Sequence, residues 1–324
     1  MHLFVLSFVY LIKEKDLGLI TIDEMMRKIW LFGVVLATAA LSGCFYYGPC
    51  VNGSGAVTTE LREVGYFTGV TNTGSFDVYV SSSESFSVEV RAQANLIPII
   101  ETYVSGSTLI VETESNACYK SSSPVEVHVS MPETDLLRLT GSGRVFADRI
   151  ASTEVEIFNS GSGYMEVDSV ISETLTLGNS GSGYIGVTAT YVHEVDAVQS
   201  GSGTILCGTL FGTNVVDIRH SSSGRVSAVL IDGVVIDVVM SGSGRIELSG
   251  DAEVAEYSLN SSGRIDALEL EVSDVDATNT GSGNIYVWAT DLLDATITGS
   301  GDIIYRGNPA LTTSITGSGN VRSY

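Results

Sequence analysis

The sequence predicts an all-β protein, a single-stranded right-handed parallel β-helix (a solenoid) with about 20 residues in each rung. Three observations predict this fold: a recurring Gly-Ser-Gly motif, aliphatic residues at fixed positions around it, and a composition rich in glycine but poor in proline. The chain of 324 residues contains 35 glycines and 5 prolines, with 44% hydrophobic and 17% charged residues. This composition is typical of a folded β protein with many tight turns, not of a disordered linker.

The Gly-Ser-Gly motif and its close variants recur from residue 140 to the end of the sequence. The last glycine of the motif stands at positions 143, 163, 183, 203, 224, 244, 263, 283, 301 and 319. A fixed period near 20 residues indicates stacked structural units. We expect the glycines to lie where the chain bends close to the neighbouring rung, because a side chain there would clash or need an unusual backbone conformation.

Apolar and polar residues alternate on both sides of each motif. Two positions after the last glycine stand Val145, Met165, Ile185, Ile205, Val226, Ile246, Ile265, Ile285, Ile303 and Val321. Period-two alternation indicates strands with one buried face. Two short strands per repeat fit one coil of a parallel β-helix, whose rungs are about 4.8 Å apart. The hexapeptide and GGxGxD repeats of other β-helices are absent from the sequence, which favours the right-handed form.

Residues 1–44 are predicted to be an upstream extension followed by a lipoprotein signal peptide. Two basic residues at 27–28 precede an apolar run at 29–41, which is too short to span a bilayer comfortably. The run ends in a Leu-Ser-Gly-Cys motif that resembles the bacterial lipobox, and this resemblance implies diacylation of Cys44 and cleavage before it. Because Phe45 and not aspartate follows, the resemblance implies an outer-membrane lipoprotein in a diderm bacterium.

The rest of the chain divides into three predicted segments. Residues 45–55 are expected to form a short tether, residues 56–135 the degenerate opening rungs of the β-helix, and residues 136–324 its regular rungs. Alternating apolar residues in the opening segment, without the glycine motif, are the basis of this division.

Cys207 falls at a core position of the repeat, so we expect a buried thiol. Cys50 and Cys118 are then a candidate disulfide in an oxidising compartment, although sequence alone does not place them together. His220 shares its repeat position with asparagines such as Asn159 and Asn179, which predicts that it faces inward.

The chain also resembles a known family, the autotransporter adhesin head GIN domain. The resemblance covers roughly residues 62–324 and is carried by the regular glycine motifs and by ordered blocks at 62–70, 76–80, 95–98, 108–111 and 125–132. It implies a β-helical fold and an adhesive role, and it offers no catalytic residues to carry over. We expect lipid anchoring through Cys44 to hold this chain at the envelope.

An acidic column is the first candidate site. Seven positions before the repeat glycine, consecutive rungs carry Asp196, Asp217, Asp237, Glu256, Asp276 and Asp294. Carboxylates stacked at the spacing of neighbouring rungs repel each other by about 0.9 kcal/mol per pair in water. Ca²⁺ accepts oxygen ligands and would offset this repulsion, so a calcium ladder is one interpretation. A solvated acidic face with nearby arginines is the other.

A second candidate site follows the repeat glycine. This column contains three arginines and two tyrosines on successive rungs: Arg225, Arg245, Arg264, Tyr164 and Tyr184. The arginines are predicted either to bind an anionic glycan or to pair with the acidic surface, and the tyrosines either to stack on sugars or to pack on each other. A ladder of serines beside the glycines has turn geometry as its simplest explanation.

The sequence favours a non-catalytic function. No paired nucleophile and base, HExxH, P-loop or GxSxG motif is present in it. The net charge of −22 disfavours nucleic acid and leaves cations, neutral glycans and basic protein patches as partners. We therefore predict an outer-membrane lipoprotein that acts as a surface scaffold or adhesin-like binding module. The alternatives are a polysaccharide-active β-helix enzyme and an envelope assembly or signalling partner.

Overall fold

The computed structural model describes residues 50–114 and 117–324, and the predicted lipidation site Cys44 lies outside them. Strands make up 67% of the described residues, arranged as a β-solenoid of about nine turns with a spacing of roughly 20 residues. This arrangement confirms the predicted fold class. In the described part of the chain, no helix is long and apolar enough to cross a membrane.

The regular rungs run from residue 136 to the last strand. Each long strand follows one glycine turn, bends near its middle and ends at the next turn, and it pairs in parallel with the strand one rung away. The strands of this region are β10 Leu136–Leu139, β11 Arg144–Ala151, β12 Glu154–Asn159, β13 Tyr164–Asn179, β14 Tyr184–Gln199, β15 Thr204–Phe211, β16 Val215–His220, β17 Arg225–Met240, β18 Arg245–Leu259, β19 Arg264–Asn279, β20 Asn284–Ile297, β21 Ile303–Arg306, β22 Ala310–Ile315 and β23 Val321–Ser323.

The aliphatic columns form the core of the solenoid, as the alternation predicts. Ile185, Ile205 and Ile246 are each 0% exposed. Cys207 is equally buried, and burial raises the pKa of its thiol to about 12. The thiol therefore stays protonated at neutral pH and packs as a small apolar side chain.

Inward-facing asparagines hold the glycine turns. Asn179 Nδ2 donates a hydrogen bond to the carbonyl oxygen of Gly183 at 2.9 Å, and its Oδ1 accepts one from the Gly181 N–H at 3.2 Å. The same pair of bonds recurs at Asn159 and Asn279. These bonds satisfy polar groups that would otherwise be buried without partners, which explains a polar column inside an apolar core.

Where the motif begins with glycine, that residue packs closely against the neighbouring rung, whereas Ser222 and Ser261 take the same position in two motifs. A Cβ atom added to Gly181 would lie 1.9 Å from the carbonyl oxygen of Gly161, and one added to Gly201 would lie 2.0 Å from that of Gly181. Backbone atoms fill this space, so no side-chain movement could relieve the clash. The predicted reason for the glycines is confirmed.

The opening segment differs from a simple run of parallel rungs. Its strands are β1 Val51–Asn52, β2 Val57–Leu61, β3 Gly69–Asn72, β4 Asp77–Ser82, β5 Ser87–Gln93, β6 Ile100–Ser105, β7 Thr108–Thr113, β8 Tyr119–Lys120 and β9 Glu126–Met131. Strands β3 and β4 pair in parallel with both neighbours, like a rung. Strands β2, β5 and β6 instead pair antiparallel and cover that end of the solenoid. Alternation has the same period in both arrangements, so the sequence pattern does not separate them.

Cys50 and Cys118, whose pairing the sequence left open, form a disulfide across a sequence separation of 68 residues. The neighbouring residues Val51–Asn52 pair in parallel with Tyr119–Lys120. The C-terminal part of the expected tether, from Cys50 onward, is therefore held against the opening segment, because a covalent bond and a strand pair fix it there.

Candidate functional site

The solenoid carries its candidate site residues on two outward-facing sheet surfaces. The acidic face consists of the outward residues of the strands that precede each glycine turn. The groove face consists of the outward residues of the strands that follow each turn. Both surfaces arise because parallel pairing in register places equivalent residues of successive rungs next to each other.

The six acidic residues of the predicted column align in register on the acidic face. Asp196 lies directly opposite Asp217 on the next rung, and Asp217 lies directly opposite Asp237 on the rung after it. The column continues through Glu256 and Asp276 to Asp294. The predicted geometry of the column is therefore present, with one carboxylate on each of six successive rungs.

One arginine offsets part of the repulsion in this column. Arg219 lies 3.2 Å from Asp196 and 2.7 Å from Asp217. Burial raises the pKa of Asp237 and the charge of Asp217 adds to the shift, whereas the charge of Arg219 partly opposes it. Burial also raises the pKa of Asp276, and the charge of Asp294 adds to the shift. The middle of the column is thus electrostatically strained.

The calcium interpretation of the column gains no support from a compact ligand set. Across residues 50–114 and 117–324, no group of three or more histidine, cysteine, aspartate or glutamate side chains could hold a metal ion. The acidic column consists of neighbouring pairs of carboxylates, and we leave calcium out of the proposed function.

The three predicted arginines lie on successive rungs of the groove face, and two carboxylates lie among them. Arg245 contacts Glu247 at 2.8 Å and Asp266 at 2.9 Å. Arg264 contacts Asp266 at 2.7 Å, whereas Arg225 comes no closer to Glu247 than 3.9 Å. We call these five residues the arginine–carboxylate cluster. Pairing with acids is therefore the observed state of these arginines.

Glu247 and Asp266 were missed as site residues by the sequence analysis. Each stands two positions after an arginine of the column, in Arg245-Ile-Glu247 and Arg264-Ile-Asp266. Residues two apart in a strand face the same side, so this spacing was the available signal. Arg264 also lies over the Tyr286 ring at 3.8 Å, which fixes its guanidinium from a second direction.

The predicted tyrosines pack on each other. The rings of Tyr164 and Tyr184 are parallel within 3°, with centroids 4.5 Å apart. Three further rings extend this aromatic stack toward the opening segment, those of Phe146, Tyr79 and His128. Because stacked rings cover each other's faces, Tyr164 offers a ligand its edge and its hydroxyl, not a free face.

The hydroxyl of Tyr164 donates a hydrogen bond to Glu166 at 3.0 Å. Burial is the main cause that raises the pKa of Tyr164 to about 12, and the bond to Glu166 adds to it. The phenol is therefore a neutral donor at physiological pH. This contact, like the ring stacking, gives the tyrosine pair a packing role.

Two shallow cavities flank the arginine–carboxylate cluster, each with a volume of about 440 Å³. The turn-side cavity is lined by the three arginines and by small polar residues, among them Ser202, Thr204, Ser223 and Ser243. The strand-side cavity is lined by Glu247 and Asp266 and by apolar residues, among them Leu206, Val229 and Leu248. The cluster therefore presents donors to one cavity and acceptors to the other.

Two histidines of the described chain, His220 and His128, pack against other residues. His220 is 1% exposed inside the asparagine column, as predicted, and burial lowers its pKa. Its Nδ1 accepts a hydrogen bond from the Ser222 N–H at 3.4 Å. His128 stacks on Tyr79 with ring centroids 4.9 Å apart. Neither ring stands free beside a nucleophile in these contacts.

Comparison with solved structures finds bacterial relatives of low similarity. A structure described as a putative adhesin from Parabacteroides distasonis ATCC 8503 is 24% identical, with 85% of this chain and 100% of that chain covered and a TM-score of 0.46. One described as a putative adhesin from Parabacteroides merdae ATCC 43184 is 21% identical over 86% and 100%, with a TM-score of 0.47. One described as a putative lipid binding protein from Parabacteroides distasonis ATCC 8503 is 25% identical over 85% and 100%, with a TM-score of 0.46.

No curated protein matches the chain at a significant level. A family model does, and it covers both the opening segment and the regular rungs, at residues 66–230 and 200–309. These matches include the aromatic stack and the arginine–carboxylate cluster. The chain belongs to the family described as "Putative auto-transporter adhesin, head GIN domain".

Proposed function

We propose that this chain is a lipid-anchored protein of the cell envelope that acts as a non-catalytic, adhesin-like binding module and surface scaffold. The observation that carries the proposal is the groove face, where ion-paired side chains stand in register beside two open cavities. Such a surface binds by complementarity over several rungs. Membership in an adhesin family supports the same function.

The site contacts also favour binding over catalysis. A general acid or base needs a proton affinity matched to its task and a reacting group within hydrogen-bonding distance. In the arginine–carboxylate cluster, Asp266 is held by two guanidinium groups, those of Arg245 and Arg264. A carboxylate held in this way serves as a fixed hydrogen-bond acceptor.

The anchor is tested by metabolic labelling with a radioactive fatty acid and by membrane fractionation. We expect label and membrane association in cells that express the whole chain, and loss of both in Cys44→Ser. A matched Cys207→Ser variant should keep the label, because its thiol is buried in the solenoid. Equal labelling of the Cys44→Ser variant would contradict lipid anchoring at this position.

The non-catalytic binding role is tested with the full chain on a panel of immobilised polysaccharides and envelope proteins. We expect retention on at least one surface without release of soluble fragments. Release of reducing ends or unsaturated sugars would overturn the proposal in favour of a polysaccharide-active enzyme. Absence of retention on every surface would also count against a binding module.

A further inference from the structure

We propose that the groove face binds a neutral polysaccharide, with the chain of sugars lying across successive rungs at the arginine–carboxylate cluster. This inference rests on the proposed binding function and names its ligand class. The sequence left two interpretations of these arginines open, anionic-glycan binding and pairing with acids, and the structure shows that they contact carboxylates.

The charge state of the cluster favours a neutral ligand. Arg245 and Arg264 both contact Asp266, and Arg245 also contacts Glu247. The three arginines of the cluster are balanced by its two carboxylates and by Glu269, which lines the strand-side cavity, on a chain whose net charge is −22. A polyanion would be repelled at long range and would have to compete with the carboxylates for each guanidinium. A neutral polysaccharide is not repelled by the net charge of the protein and does not compete with the carboxylates for the guanidinium groups.

The hydrogen-bonding groups of the cluster match those of sugar hydroxyls. A guanidinium has five N–H donors and an ionised carboxylate about four acceptor sites, so paired groups keep capacity for a ligand. Ion pairing also holds these side chains in place, which lowers the entropic cost of binding. Arg225 is the least engaged member, at 3.9 Å from Glu247 with a side chain that is 54% exposed.

Serine hydroxyls add donors and acceptors along the turn-side cavity. Ser202 Oγ and Ser223 Oγ lie 3.4 Å apart across neighbouring rungs. A hydroxyl both donates and accepts and rotates to suit its partner, as do the hydroxyls of a sugar. Three members of the serine ladder, Ser202, Ser223 and Ser243, thus line the same cavity as the arginines.

The strand-side cavity supplies the apolar surface that sugar rings need for their C–H faces. Leu206 and Val229 line it, and Val229 is 40% exposed. Small-molecule sites combine apolar walls with a few placed polar groups and have volumes of roughly 300–1,000 Å³. Each cavity falls in that range at about 440 Å³. Both cavities together extend over several rungs, which suits a polymer better than a single sugar.

The experiment measures binding of the full chain to two sets of immobilised polymers. Dextran, mannan and a β-glucan are the neutral probes, and heparin and polygalacturonate the anionic ones. We expect retention on at least one neutral probe, with little change as NaCl is raised, because no counterions are released from a neutral ligand. Binding to the anionic probes alone, weakened by salt, would overturn the inference.

Variants locate the site. Arg225→Gln and Glu247→Gln should each weaken neutral-glycan binding about tenfold or more, since hydrogen bonds to charged groups contribute roughly 1.5–3 kcal/mol. The matched control is Arg219→Gln, because Arg219 is similarly exposed at 52% and also ion-paired, but stands on the acidic face. It should bind as the wild type does. Thermal unfolding of each variant verifies that the solenoid is intact.

The two proposals fail in different ways. If the chain binds a protein or an anionic polymer without cleaving it but binds none of the neutral probes, the neutral-glycan inference is wrong and the binding function stands. If neutral-glycan binding is lost equally in Arg219→Gln and Arg225→Gln, the groove face is not the site. If sugars are released, the non-catalytic function itself is wrong.

Discussion

The side-chain amide of Asn179 closes the turn that follows it by donating a hydrogen bond to the carbonyl oxygen of Gly183 at 2.9 Å. The two residues are four apart in sequence, and the bond lies inside the solenoid. Equivalent bonds recur along the column, so the turn that carries the glycine motif is held from within the core. The first prediction tests how much this contact stabilises the fold.

Asn179→Ala should lower the free energy of unfolding by about 1–3 kcal/mol. The change removes the side-chain hydrogen bonds to the carbonyl of Gly183 and to the N–H of Gly181, and each intramolecular hydrogen bond contributes about 0.5–1.5 kcal/mol. Urea unfolding monitored by circular dichroism measures the loss. Asn214→Ala is the control, because the Asn214 side chain is exposed and should change stability little. Equal effects at both positions would contradict the role given to Asn179.

Acid should destabilise the solenoid through His220. Burial lowers the pKa of this ring below 6.5, so between that lower pKa and 6.5 the unfolded chain binds a proton that the folded chain does not. The free energy of unfolding therefore falls as the pH drops through this window and recovers above it. His220→Asn, which restores the asparagine of the column, should remove this part of the pH dependence.

The measurement compares thermal unfolding of wild type and His220→Asn across the acid range. Carboxylates with raised pKa values, such as Asp237, titrate in both proteins and cancel in the difference. His193→Asn serves as the control, because His193 is exposed. A wild-type pH profile that survives in His220→Asn would show that the buried histidine is not its cause.

Removing one charge from the middle of the acidic column should stabilise the protein. Asp237→Asn relieves repulsion from its neighbours, and we expect a gain of a few tenths to about 1 kcal/mol at low salt. Asp217→Asn is the matched control on the adjacent rung, because it also removes an ion pair with Arg219 at 2.7 Å and should bring no gain. Urea unfolding at low and high salt tests both, and the gain should shrink as salt screens the charges.

The same variant tests calcium. If the column binds Ca²⁺, adding the ion should shift the wild-type unfolding curve to higher urea, and Asp237→Asn should weaken the shift. We expect coincident curves with Ca²⁺ and with chelator, because the described residues contain no compact set of three ligands. A calcium-dependent shift that disappears in Asp237→Asn would contradict this expectation.

Reduction of the Cys50–Cys118 disulfide should loosen the opening segment. The bond links residues 68 positions apart, and the chain-entropy model gives about 4 kcal/mol for a loop of that length. The double variant Cys50→Ala, Cys118→Ala should unfold at lower urea than the wild type. Reductant should lower the urea midpoint of the wild type to that of the double variant and leave the midpoint of the double variant unchanged. A reductant effect on the double variant would point to another cause.

Much of the fold was predictable because its determinants are local and repeated. Period-two alternation assigned Ile185 and Ile205 to the core, and the spacing of the glycines assigned Gly181 to a close contact between rungs. Asp217 and Asp237 each stand seven positions before a repeat glycine, and this shared position predicted that they lie side by side. Repetition makes such predictions reliable, because the same pattern of apolar residues and glycines recurs in successive rungs.

The antiparallel strands of the opening segment were not separable from parallel rungs, because alternation has the same period in both. The ion pairs of Asp266 could not be predicted either, because side-chain conformation determines which arginines contact this carboxylate. The stack that joins Tyr79 to Phe146 links positions 67 residues apart by number, which only the pairing of β4 with β11 brings together.

The sequence by itself determined the solenoid, its rung length, its buried columns and the inward position of His220, because these follow from local periodicity. Only the tertiary structure decided that the arginines of the groove face are ion-paired and that the tyrosines cover each other's faces. Those contacts form between side chains on different rungs, at distances set by backbone register and packing. The sequence left anionic-glycan binding and ion pairing open for the arginines, and the observed ion pairs are the reason that we propose a neutral glycan.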